Sequence, residues 1–126
     1  MARGWLGAGI LVVFLIFGLM LSGVTDKAHL HTGELLEQAA EKALSDNLAE
    51  GIPLGAEAKK RWETQWFLTA AIADHSPMDE VDALFAEMEI YASTGEAPHF
   101  AACCKELSQR LEAIADAHRF SWWNVL

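Results

Sequence analysis

From Trp5 through Val24 the chain holds twenty residues without a charge, built mainly from Leu, Ile, Val, Phe, Met and Gly. As a helix rising roughly 1.5 Å per residue, this run covers about 30 Å, the hydrocarbon thickness of a bilayer. A soluble helix of that length needs a polar face unless a large core surrounds it. A chain of 126 residues has room for only one domain. The run therefore predicts a single membrane span. The competing reading is a cleaved signal peptide, whose apolar region is usually about 7 to 15 residues long and ends at a small-x-small site. Ser22 and Gly23 are small, but Leu21 and Val24 leave that pattern imperfect, and no cysteine follows Leu21-Ser22-Gly23 for lipid attachment. An uncleaved signal anchor is favoured.

Positive charge hardly distinguishes the two ends of the span, since Arg3 and the terminal amine precede it while Lys27 and Lys42 follow. A short leading tail carrying Arg3 is typical of an anchor whose N-terminus stays in the cytoplasm. The expected arrangement is a single-pass protein of the cell membrane, with residues 1–24 as anchor and residues 25–126 as an acidic domain outside the cytoplasm. That domain has 8 Lys and Arg against 18 Asp and Glu, a formal charge of −10. Such a surface argues against nucleic acid as a partner and is repelled by anionic headgroups.

Beyond the span no proline occurs before Pro53, and Gly33 is the only glycine between Val24 and Gly51. The helix is therefore expected to leave the membrane as a stalk, carrying an apolar stripe of Leu36, Ala40, Ala43, Leu44 and Leu48 and stopping at Gly51 and Pro53. A second helix is expected from about Ala56 to Asp74, with Trp62, Trp66 and Ala70 on one line and Leu68 and Ile72 beside it. Pro77 ends it by restricting the residue before it. Ser76 then serves as N-cap of a third helix, with Pro77 at the first position and Asp79 and Glu80 in the first turn. Val81, Leu84, Phe85, Met88 and Tyr91 mark its inner face, and Gly95 terminates it. A fourth helix from Pro98 carries Phe100, Cys103 or Cys104, Leu107, Leu111, Ile114 and His118 at three and four spacing.

No strand signal occurs. The fold class expected is all-α, with an N-terminal transmembrane helix continuing as a stalk into a small antiparallel, up-and-down helical bundle. Trp66 and Leu111 are expected in its core. The tail from Phe120 to Leu126 reads as too short for another helix. Phe120 and at least one of Trp122 and Trp123 are expected to fold back over the bundle, the alternative being contact with headgroups or a protein partner.

The densest polar cluster is Asp74-His75-Ser76-Pro77-Met78-Asp79-Glu80-Val81-Asp82. A metal or acid–base site there would use His75, Asp79 and neighbouring acids. Acids in a first turn and a His near a helix end are also what helix dipoles favour without any chemistry. His29-Leu30-His31, on a helix, points its two rings to different faces. Adjacent Cys103 and Cys104 diverge by about 100° on a helix and cannot easily bridge, which suits small core filler with one facing inward. Lys59-Lys60-Arg61 is the only basic cluster, read as solvated surface, as partner to carboxylates on a neighbouring helix, or as a contact for anionic headgroups. No HExxH, CxxC, GxSxG or glycine-rich phosphate loop is present, and a helical domain this small leaves little room for a small-molecule pocket. No cofactor is implied.

The Trp-bearing helix leading to Asp74-His75 and Asp79, the helix ending near Tyr91, and the terminal Phe120-Ser121-Trp122-Trp123-Asn124-Val125-Leu126 together resemble the family called domain of unknown function 4363. Those are short membrane-anchored proteins, mainly of Firmicutes, often encoded beside a small integral membrane protein. The chain departs from the family at Ser76-Pro77, where acidic residues are expected, which weakens any carry-over of a metal site, and the family supplies no activity. The expected function is a non-enzymatic, membrane-tethered interaction module, an accessory subunit of another membrane protein. The alternative is a metal-dependent enzyme or ion sensor at the His75/Asp79 corner.

Overall fold

The computed structural model describes the backbone of residues 2–70 and 75–123, with their side chains except those at 2, 3, 21, 22, 25, 26, 67–70, 75, 118 and 120–123. The described chain forms four helices, α1 (Ala2–Leu44), α2 (Leu48–Ala70), α3 (His75–Thr94) and α4 (Ala97–Trp123), and no strand.

The first helix ends sooner than its stripe suggested. Asp46 takes a left-handed conformation at φ 56°, and the Asn47 amide donates to the Lys42 carbonyl at 2.9 Å, five residues back. This is a Schellman closure, which needs a residue tolerant of positive φ just past the helix, and Asp is among the few that accept it. Asn47 then opens α2, its carbonyl accepting from the amides of Glu50 and Gly51. Gly51 and Pro53 therefore lie inside α2 instead of ending α1.

Gly51 is there for closeness. A Cβ on it would sit 2.8 Å from the Ala39 carbonyl oxygen, so the backbones of α1 and α2 meet at a point only glycine can occupy. At the other glycine turn, Gly95 has φ +74° and the Glu96 amide donates to the Tyr91 carbonyl at 3.1 Å, which repeats the closure and ends α3 where the sequence places its end.

Two further boundaries differ from expectation. α3 begins at His75, which puts Ser76 inside the first turn instead of at the cap, and α4 runs on through Trp123, so Phe120, Trp122 and Trp123 belong to a helix and not to a separate tail. Whether the aromatic side chains of that turn cover the bundle lies outside the described residues.

Cross-helix contacts fix an antiparallel order throughout. Lys42 pairs with Glu50 at 2.8 Å and the rings of His29 and Trp62 lie 5.9 Å apart, so α2 returns along α1. Trp62 meets Asp82 and Lys59 meets Glu89 between α2 and α3. Glu80 pairs with Arg110, and Tyr91 stacks on His99 at 5.0 Å, between α3 and α4. Lys105 reaches Glu37 at 3.3 Å, which closes α4 back onto α1. α1 packs along both α2 and α4, α4 also along α3, while α2 and α3 touch sparingly.

The core follows the three-and-four spacing. Leu36, Ala39, Ala40 and Ala43 of α1, Ala58 and Trp62 of α2, Met78, Val81, Phe85 and Met88 of α3, and Phe100, Leu107 and Leu111 of α4 are all buried. Leu111 is fully buried, as expected. Trp66 is only partly buried against this core, and the indole that fills it is Trp62, one turn earlier, at 1% exposure. Leu44, assigned to the inner stripe, is exposed, because α1 terminates there. Both cysteines are buried, where one was expected to face inward.

α1 changes character along its length. From Trp5 to Met20 its large apolar side chains are exposed except the half-buried Leu15, and the consecutive Ile10, Leu11, Val12, Val13 and Phe14 cover every face of the helix. Burial begins at His29. Among the described residues no helix is long and apolar enough to cross a membrane. The continuously described part of the apolar run, from Trp5 to Met20, is sixteen residues.

Candidate functional site

The corner between α2 and α3 contains the residues singled out for chemistry. Asp74 and the side chain of His75 lie outside the described residues, and Asp79 is exposed on α3. Among the described residues no group of three His, Cys, Asp or Glu side chains is gathered for a metal ion. His29 and His31 diverge as helical spacing requires. His29 is 1% exposed against Trp62, whereas His31 faces solvent and approaches Glu34 at 3.5 Å.

Below the corner, the sparse contact between α2 and α3 leaves a groove. Its upper part, about 360 Å³, is lined by Lys59, Trp62, Glu63, Trp66, Asp82 and Phe85. A second hollow of about 390 Å³ lies between Ile52, Ala56, Met88, Ala92 and Phe100. Both open to solvent. The polar groups of the upper wall are paired. The Trp62 indole N–H donates to Asp82 Oδ1 at 2.6 Å, and Lys59 Nζ reaches Glu89 at 2.7 Å and Glu63 at 3.8 Å. The Glu89 carboxylate, by hydrogen bond first and by charge as well, raises the Lys59 pKa above the ordinary lysine value against the opposing effect of desolvation. The basic cluster thus pairs with acids: Lys59 across to α3, and Arg61 along its own helix to Glu57 at 3.1 Å.

These contacts were not legible in the sequence, although one signal was present. Asp82 lies twenty residues from Trp62, and only the antiparallel return of α3 along α2 brings them together. An indole at the centre of a small core does, however, demand a nearby acceptor.

Neither thiol is set up as a nucleophile. Burial first, and then the charges of Glu87 and Glu106, pushes Cys103 up to about 11. Burial first, then Cys103 and Glu37, pushes Cys104 up to about 12. Reactive cysteines need the opposite, an electropositive and partly open setting.

What the fold defines is an all-α, antiparallel four-helix chain whose first helix carries an uncovered apolar extension. Comparison with family models, with curated proteins and with solved structures returns no match.

Proposed function

We propose that the chain is a single-pass, membrane-tethered helical interaction module, a non-enzymatic accessory subunit of another membrane protein, anchored by Trp5–Val24 with its acidic bundle outside the cytoplasm. The observation that carries this is α1 itself: one helix whose first half is exposed and apolar on all faces and whose second half supplies a wall of the bundle core. Twelve large apolar residues between Trp5 and Val24 are exposed. At about 1.5 kcal/mol or more for each one withdrawn from water, a bilayer gains on the order of 20 kcal/mol over an aqueous setting. The sequence carries the run through Leu21 and Ser22, whose side chains lie outside the described residues, to Val24. That makes it long enough to span.

With a formal charge of −10 on residues 25–126, the bundle suits a partner presenting a cationic surface, which would speed encounter and orient docking. Geometry and charge support that role, and it does not rest on the resemblance to the domain of unknown function 4363 family. Crosslinking in native membranes followed by detergent purification is the test. A recurrent membrane-protein partner is expected, and the chain is expected to stay with the membrane pellet after alkaline extraction. Recovery of monomer alone, in repeated crosslinking, would overturn the subunit role.

A further inference from the structure

We propose that the inner end of the bundle lies within the lipid headgroup layer, with the last turns of α4 running down beside the end of the apolar run. This rests on the anchor reading above and goes beyond it, because an anchor could equally hold a domain on a stalk clear of the surface.

The first observation is the distance available. The apolar run ends at Val24, His29 is already 1% exposed and Thr32 fully buried. Five residues of helix separate Val24 from His29, about 7.5 Å. The headgroup zone on each side of a bilayer is itself about 5 to 7 Å deep. No free length of helix separates the run from the bundle, because the part of α1 that continues the run is itself a wall of the core, and the first buried residue stands at the outer edge of the headgroup layer.

The second observation is register. Gly33 lies against Ser108, and Glu37 pairs with Lys105. Continued along two antiparallel helices, that register sets Ala117 about level with Val24, and Trp123 about 9 Å deeper. α2 behaves alike: Gly51 against Ala39 and Trp62 against His29 put Ala70 level with the last turn of the apolar run. Two helices thus end beside the apolar segment.

The third observation is the direction of the charge at that depth. Arg119 bonds Asp116 at 2.8 Å, one turn back toward the bundle. The guanidinium is drawn away from the bilayer, as a snorkelling side chain requires. The residues that follow, Phe120, Ser121, Trp122 and Trp123, include the aromatic types that interfaces select, although their side chains lie outside the described residues. The acidity of the chain specifies the lipid, since anionic headgroups would repel it and zwitterionic ones would not.

The test uses the full chain in phosphatidylcholine vesicles, spin-labelled at a single added cysteine in Phe14→Cys, Ser93→Cys or Ala117→Cys, all at exposed positions. Labelling at pH 7 spares the two buried native thiols, and the unsubstituted chain serves as control. Collision with a water-soluble nickel complex and with oxygen reports depth. Phe14→Cys is expected to be oxygen-rich and nickel-poor, Ser93→Cys the reverse, and Ala117→Cys several-fold less accessible to nickel than Ser93→Cys. If Ala117→Cys matches Ser93→Cys while Phe14→Cys stays deep, the bundle stands off the membrane and this inference fails alone. If Phe14→Cys reads as water, the anchor reading fails.

Discussion

A buried indole needs an acceptor for its N–H, and Trp62 finds one in Asp82 at 2.6 Å while the rest of its ring fills the space between α1, α2 and α3. Trp62→Ala is therefore expected to cost about 3–5 kcal/mol, whereas Trp66→Ala, at a half-buried site, should cost about 1–2. Urea unfolding of the two variants checks the order, and a larger loss at Trp66 would reverse the assignment of the core anchor. The cysteines give a second expectation. Burial pushes their folded pKa values up to about 11 for Cys103 and about 12 for Cys104, against 9.0 for the free thiol. The folded chain thus holds its protons more tightly than the unfolded chain, so this contribution is intact below pH 9 and stability falls as pH rises from there toward 12. A thiol reagent should leave the native protein unmodified at pH 8, and Cys104→Ala should flatten the alkaline fall in stability. Rapid modification at pH 8 would contradict the burial.

Between elements, Gly51 and Gly55 sit one turn apart on α2, yet they make different demands. A Cβ at Gly51 would meet the backbone oxygen of Ala39 at 2.8 Å, while one at Gly55 would meet Met88 Sδ at 3.1 Å and the Phe100 ring edge at 3.2 Å. Backbone cannot yield, and a methionine can. Replacing Gly by Ala in a helix gains up to about 1 kcal/mol, against about 1–3 for overpacking. Gly51→Ala should accordingly lose about 1–2 kcal/mol net and Gly55→Ala should be nearly neutral, as thermal melts would show. This pair also explains which parts of the fold could be read in advance. The inner faces of α3 and α4 were legible because Val81, Phe85, Met88, Phe100, Leu107 and Leu111 keep strict helical spacing and Gly95 separates the two helices unambiguously. The α1–α2 boundary was not, because glycine and proline mark both a stop and a close approach. Asn47-Leu48-Ala49-Glu50 carried the better signal, a capping pattern with Glu50 drawn below its ordinary value first by Lys42 and then by Asn47. At the candidate site, the divergence of His29 and His31 follows from helical period alone, whereas the Trp62–Asp82 and Lys59–Glu89 pairs depend on a tertiary return that no local pattern encodes.

At the scale of the whole molecule, α1 joins an exposed apolar segment to a wall of the bundle core in one uninterrupted helix of 43 residues. None of the residues from Trp5 to Met20 is buried, so the bundle draws nothing from them, while Leu36, Ala39, Ala40 and Ala43 form the α1 side of its core. A chain beginning at Thr25 should therefore fold in water as a helical bundle, retaining the Trp62 environment and a cooperative melt. A chain beginning at Ser45 should not, since it would leave α2 and α4 without the element that both pack along, and their mutual contact through α3 is sparse on the α2 side. Leu36 alone is worth about 2–5 kcal/mol when truncated to Ala, and removing the entire helix exceeds the roughly 5–15 kcal/mol that holds a domain of ordinary stability together. Circular dichroism and tryptophan emission of the two fragments decide the matter. If the shorter fragment melts cooperatively, α1 is an anchor appended to a three-helix domain; if the longer fragment does not fold, the bundle depends on contacts or an environment that begin before residue 25.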